Sequence, residues 1–145
     1  MTDEQPNNPA PADTVPPSKG SILFVDDDKF LVEMYGLKFH SVGYTVHTAL
    51  SADEGLAVLR EGFAADAVLF DIAMGAKDGF AFLAALNKEG LARDALWVAL
   101  TNQSDDVERA KAIELGADLY LVKASVIPSE VVNIVEDAFL HKSKA

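Results

Sequence analysis

The chain predicts an α/β fold built on a parallel sheet, and three observations carry that expectation. Short apolar runs suited to strands alternate with amphipathic, helix-like segments from about residue 21 onward. One of the runs, AVLF, is a short continuous apolar stretch of the sort found in strands covered on both faces. Four runs end in a polar signal: Asp26-Asp27 after ILFV, Asp71 after AVLF, Thr101 after WVAL and Lys123 after LYLV. In an open parallel sheet the carboxyl ends of the strands share one edge, so these residues are expected to converge in one crevice.

Each element has a local reason. The first strand is expected over Ser21–Val25 and a helix over about Lys29–Ser41, with Phe30, Leu31, Met34, Leu37 and Val42 at helical spacing. Gly36 inside that helix costs about 1 kcal/mol relative to Ala. A half-exposed edge strand follows over Tyr44–Ala49, with Tyr44, Val46 and Thr48 on one face. Ser51 and Glu54 form a capping box that opens a helix reaching about Glu61. Next come a strand over Ala67–Asp71, a loop holding Gly75 and Gly79, a helix over Phe80–Lys88 and a strand over Leu96–Leu100. A fourth helix, about Val107–Leu115, stops at Gly116, a glycine suited to a left-handed C-cap. After a last strand, Leu119–Val122, a helix begins near Pro128 with Val131, Ile134, Val135 and Phe139 as its buried stripe.

Composition narrows the function. The chain has 145 residues, half of them hydrophobic and 24% charged, enough for one domain with a sizeable core. A net charge of −11 argues against nucleic acid and anionic membranes as partners, since both select clustered Lys and Arg. No run of about 18 apolar residues predicts a membrane span. With no cysteine there is no thiolate site, which is compatible with a cytoplasmic location. Residues 1–19 are acidic and Pro-rich, lack a signal-peptide pattern and are expected to form a disordered tail ahead of a domain over 20–142.

Singly, the polar signals have ordinary explanations. Asp26, Asp27 and Asp28 suit solvated loop acids and helix caps, Thr101 a β-branched strand residue, and Lys123 a surface lysine. Together they put three carboxylates, a hydroxyl and an ammonium at one sheet edge. Three crowded carboxylates favour a hard divalent cation such as Mg²⁺, and the set suits phosphoryl transfer to a carboxylate. His40, His47 and His141 have no metal-ligand spacing, Trp97 reads as core, and no Gly-rich phosphate loop followed by Lys is present.

ILFVDDD, VLFDIAMGAKDGF, VALTNQ and GADLYLVKA, with Asp26, Asp71, Thr101 and Lys123 separated by 45, 30 and 22 positions, resemble a response-regulator receiver domain from about Ser21 to Leu140. The resemblance implies a flavodoxin-like (βα)5 three-layer sandwich with strand order 2-1-3-4-5. It implies that Asp71 is the phosphoacceptor, and that Asp26, Asp27, Asp71 and the Ala73 backbone carbonyl hold Mg²⁺. Thr101 and Lys123 would bind the phosphoryl oxygens, Tyr120 would report the switch, and Ala73, Asn102 and Gln103 would tune the phosphoryl lifetime. Implied partners are a sensor histidine kinase or histidine phosphotransfer protein and a downstream protein effector. The protein is then a signalling module, monomeric or dimerising on phosphorylation, and not an enzyme turning over an external substrate. Without an attached output domain, output is expected to pass to another molecule.

Three positions depart from the family pattern. Ala124 stands where proline usually follows the lysine, so a trans peptide is expected there. Gly75 replaces another common proline and leaves the loop after Asp71 freer. Asn102 is bulkier than the usual small residue beside the threonine. Two alternative functions follow. One is an adaptor that works without phosphorylation, suggested by Ala124. The other is a phosphatase resembling the haloacid dehalogenase family with Asp26 as nucleophile, disfavoured because no strand-ending acidic pair follows Lys123.

Overall fold

A computed structural model describes residues 18–144 except 76, 77 and 103; residues 1–17 of the tail expected over 1–19 and the expected lifetime-tuning Gln103 lie outside the described residues. Five strands, β1 (Ser21–Val25), β2 (Thr45–Ala49), β3 (Ala67–Asp71), β4 (Leu96–Thr101) and β5 (Leu119–Val122), form one parallel sheet. The order is β2-β1-β3-β4-β5, as the resemblance to a receiver domain implies. Five helices connect and follow them: α1 (Lys29–Ser41), α2 (Ala52–Arg60), α3 (Gly79–Glu89), α4 (Asp106–Glu114) and α5 (Pro128–Lys144).

The strand side chains alternate between two cores. Ile22, Phe24, Leu69, Val98 and Leu100 meet α1 and α5, while Leu23, Val25, Val68, Phe70 and Trp97 meet α2, α3 and α4. β3 and β4 are buried along their whole length, which is why they read as unbroken apolar runs. Each large aliphatic or aromatic side chain taken fully from water contributes about 1.5–3 kcal/mol.

The caps sit where local chemistry demands. Asp28, Ser51, Asp78 and Asp105 each accept backbone N–H bonds at the start of α1, α2, α3 and α4. The Glu54 carboxylate in turn accepts the Leu50 N–H, so α2 is held on both sides of its cap. Gly90 (φ +65°) ends α3, and Gly116 (φ +108°) follows α4 with its N–H on the Ile113 carbonyl. At Gly116 a side chain would also strike the Trp97 ring, 2.9 Å from an ideal Cβ.

Two expectations need correction. The stripe of α1 is rotated: Val32, Tyr35 and Phe39 face the sheet, Leu31, Met34 and Val42 pack at its margin, and Phe30 and Leu37 are 74% and 71% exposed. Tyr44 precedes β2 rather than starting it, because its ring packs among Phe39 and Phe139 while its hydroxyl donates to Glu136 on α5. Smaller shifts are ordinary end effects: β4 continues through Thr101, α3 starts at Gly79, and α4 runs from Asp106 to Glu114.

Candidate functional site

The sheet order reverses between β1 and β3, so their outgoing loops run to opposite faces and leave a crevice at the carboxyl edge. Asp26 and Asp27 leave β1 into that crevice, Asp71 ends β3, Thr101 ends β4 and Lys123 follows β5 at the start of a 3-10 turn over Lys123–Ser125. Asp26, Asp71 and Thr101 are the buried polar side chains among the described residues. Burial of such groups requires partners.

Lys123 supplies the main one. Its Nζ donates to Asp26 Oδ2 at 2.7 Å and lies 3.5 Å from Asp71 Oδ1. Asp26 Oδ1 accepts the Asp28 N–H at 2.9 Å, and Asp71 Oδ1 accepts the Ala73 N–H at 3.2 Å. Asp27 is exposed, and its Oδ2 accepts the Gly75 N–H at 3.2 Å.

These surroundings set the ionisation. Burial pushes the Asp71 carboxyl above its usual range, aided by the Asp26 and Asp27 charges and opposed by Lys123 and the Ala73 N–H. Burial works against the Lys123 ammonium, yet its bond to Asp26 and the charges of Asp26 and Asp71 outweigh that, and its pKa is raised. Beneath the site, Tyr35 of α1 stacks on Phe24 with ring centroids 4.9 Å apart. Burial raises its phenol pKa, with Lys123 opposing and Asp26 adding to the rise.

One oxygen from each of Asp26, Asp27 and Asp71 lies within 4.8 Å of the others, the one such cluster among the described residues. Three hard oxygen donors at that spacing, facing the crevice, fit Mg²⁺. Ala73, two residues beyond Asp71, is exposed beside them.

On the far side, the buried Tyr120 hydroxyl donates to Glu108 of α4 and hydrogen-bonds the Thr101 side chain. Burial and Glu108 raise its pKa. Thr101, Tyr120 and Glu108 thus connect the end of β4, through β5, to the first turn of α4. Asn102 is exposed next to Thr101.

The structure therefore brings together Asp26, Asp27, Asp71 and Lys123, with Thr101 and Tyr120 as a neighbouring pair. No described peptide bond is cis, including Lys123–Ala124, as expected for a non-proline residue. His40, His47 and His141 lie outside the acidic cluster; His47 packs edge-on against Phe63, and His141 contacts Asp137 one turn earlier. Trp97 is core, with its indole N–H on the Ala92 carbonyl. Sequence reasoning missed three participants: Gly75, Glu108 and Tyr35. Tyr35 had a legible signal, since it lies three residues after Val32 and four before Phe39 on the sheet-facing side of α1.

Comparison with known proteins agrees with this geometry. A solved response regulator receiver domain protein (CheY-like) from Methanospirillum hungatei JF-1 superposes with a TM-score of 0.79 at 26% identity, covering 88% of this chain and 98% of that one. The chemotaxis protein CheY4 of Vibrio cholerae shares the fold, with a TM-score of 0.75 at 24% identity over 81% of this chain and 97% of that one. Among curated relatives, the probable transcriptional regulator ycf27 of Pyropia yezoensis is 33% identical over 72% of this chain and 42% of its own length. The transcriptional regulatory protein DltR of Streptococcus agalactiae serotype III (strain NEM316) is 30% identical over 70% of this chain and 44% of its own. The chain thus spans less than half the length of these curated relatives. No described helix is long and apolar enough to cross a membrane. The family profile for the response regulator receiver domain matches residues 22–136, and the chain belongs to that family of two-component signalling modules.

Proposed function

We propose that Asp71 accepts a phosphoryl group from the histidine of a sensor kinase or histidine phosphotransfer protein, and that this switches a protein-binding surface. The observation that supports the reading most is the shared lysine: Lys123 bridges Asp26 and Asp71 across the acidic cluster. An ammonium so placed can follow charge from one carboxylate to the other.

The chemistry follows from this set. A phosphoryl donor carries negative oxygens that three carboxylates would repel. Bound Mg²⁺, held by Asp26, Asp27, Asp71 and the Ala73 carbonyl, supplies charge neutralisation and alignment for the transfer. An Asp71 oxygen attacks phosphorus, the bond to the donor nitrogen breaks, and the donor imidazole leaves with that electron pair. Lys123 then turns from Asp26 toward a phosphoryl oxygen, and Thr101 donates its hydroxyl to another. Such a move draws Thr101 from Tyr120, which is tied to α4 through Glu108. The binding surface near α4 and β5 thereby changes. Ala73 and Asn102, exposed beside the transfer site, together with Gln103, the next residue in sequence, set how fast water or a phosphatase reaches it.

Asp26 is a poor candidate for a phosphatase nucleophile, because it is fully buried and its two oxygens are engaged by Lys123 and the Asp28 N–H. We place the protein and its kinase partner in the cytoplasm, with a downstream protein receiving the signal. Intact-mass analysis after incubation with Mg²⁺ and an acyl phosphate tests the reading. A single phosphoryl adduct, absent in Asp71→Asn and without Mg²⁺, is expected. No adduct on the folded wild type supports a phosphorylation-independent adaptor, and donor turnover that survives Asp71→Asn but needs Asp26 supports a phosphatase; either result overturns the proposal.

A further inference from the structure

Asp27 differs from the other two acids of the cluster. Asp26 and Asp71 are buried and share a lysine; Asp27 is exposed, and the hydrogen bond to its carboxylate among the described residues comes from the Gly75 backbone N–H, 3.2 Å from Oδ2. Without that bond nothing described would fix its rotamer. The donor belongs to the loop after β3, and the acceptor to the loop after β1. The bond therefore ties the loop that carries Asp26 and Asp27 to the loop that follows Asp71.

We propose that Gly75 is a positioning residue for the divalent cation: its N–H holds Oδ2 of Asp27 so that Oδ1 is presented to the ion beside Asp26 and Asp71. The inference rests on the metal-dependent reading above and adds a role that no side chain encodes. A hydrogen bond to the second oxygen of a ligating carboxylate fixes its orientation before the ion arrives, and loss of such outer contacts weakens metal binding. Residue type matters here through the donor rather than through size. Among the described residues, a Cβ added at Gly75 would find only Asp27 Oδ2, at 4.0 Å, and Gly75 is not among the positive-φ glycines. Alanine therefore fits and keeps the N–H, whereas proline removes it.

The test measures Mg²⁺ affinity by titration calorimetry in the wild type, Gly75→Ala and Gly75→Pro, each shown to be folded by its Trp97 emission. Gly75→Ala is expected to stay within about twofold of wild type and Gly75→Pro to bind about five- to tenfold more weakly, the lower end for an exposed outer contact. A second measurement does not need the proline variant: in metal-free protein, Asp27→Ala should move the Gly75 amide proton upfield in the NMR spectrum. Equal affinity in wild type and Gly75→Pro, equal loss in Ala and Pro, or an unmoved Gly75 amide would each overturn the proposal. Should the wild type itself fail to take up Mg²⁺, the metal-dependent reading fails and the positioning role fails with it, even if the amide still reports the Asp27 bond.

Discussion

Replacing Lys123 by Met keeps most of the side-chain volume and removes one charge, which isolates what the ammonium does. At an effective dielectric of about 20, Coulomb's law gives a gross attraction of about 6 kcal/mol for the 2.7 Å contact with Asp26 and about 5 kcal/mol for the 3.5 Å contact with Asp71. Desolvation of the three groups consumes much of that. Removing one partner of a buried pair typically costs about 3–5 kcal/mol, because the other charge stays buried alone. The Lys123 side chain is 13% exposed and Asp26 keeps its Asp28 N–H bond, so the lower end, about 3 kcal/mol, is expected. For a domain of this size that is a fall in Tm of about 10 °C.

The same variant should gain from the cation. Mg²⁺ and the ammonium compete for Asp26, so Lys123→Met is expected to bind Mg²⁺ more tightly than wild type. Both proteins gain stability from the ion, so at saturating Mg²⁺ the gap narrows by RT ln of the ratio of their Kd values, about 1.4 kcal/mol for each tenfold by which the variant binds more tightly. The Lys123 pKa is raised by its carboxylate partners, so its contribution is fully present below the unfolded-state value near 10.5 and is lost as pH rises through the folded-state value. Thermal unfolding followed by Trp97 fluorescence, in chelator and in Mg²⁺, reads all of this. A variant as stable as wild type in chelator, or a gap that Mg²⁺ leaves unchanged, would refute the reasoning.

Other perturbations test neighbouring parts of the site. Because burial raises the Asp71 pKa, the folded chain takes up that proton before the unfolded chain does, and metal-free stability falls as pH rises through the raised value. Asp71→Asn should therefore melt above wild type at pH 7 in chelator, with the advantage disappearing near the unfolded carboxylate pKa; melting curves across pH check the sign. A Cβ at Gly79 would lie 2.8 Å from the Asp71 carbonyl and the Ile72 Cα, so Gly79→Ala is expected to cost about 1–3 kcal/mol in denaturant unfolding and to weaken Mg²⁺ binding by displacing Asp71. Glu108→Ala removes the acceptor of the Tyr120 hydroxyl, costing about 0.5–1.5 kcal/mol and lowering the pH at which that phenol ionises, as ultraviolet titration would show.

Sequence and structure agree where a residue's role is imposed by its place along a strand. β3 and β4 are covered on both faces, so each reads as an unbroken apolar run, and Asp71 and Thr101, themselves buried, close those runs at the carboxyl edge. α1 was less legible because Phe30, Leu31, Val32, Met34, Tyr35, Leu37 and Phe39 surround most of its circumference. Periodicity then fits more than one face, and only the sheet decides that Val32, Tyr35 and Phe39 turn inward. The side chains of the site were legible because charge closing an apolar run is unusual. Gly75 was read as a missing ring and a freer loop, but its action runs through a backbone N–H, which has no sequence signature. Glu108 was hidden for a different reason: it is one of two acids in the first turn of α4, where acids are expected to complement the helix dipole in any case.

On the proposed reading, the placement of the acids lets the site act as a switch rather than a rigid binding pocket. Strand ends hold Asp26 and Asp71 in the protein interior, where each costs stability unless compensated, and one lysine compensates both unequally, at 2.7 Å and 3.5 Å. In the proposed mechanism a charge added at Asp71 would alter that division, and a cation at Asp26 would release the lysine to follow it. Thr101 lies at the end of the adjacent strand, already bonded to Tyr120, whose other partner is on α4. A change of charge at one carboxylate therefore has a short physical route to a helix surface: it changes what Lys123 and Thr101 bind, and Tyr120 and Glu108 are the next groups to be left with or without a partner.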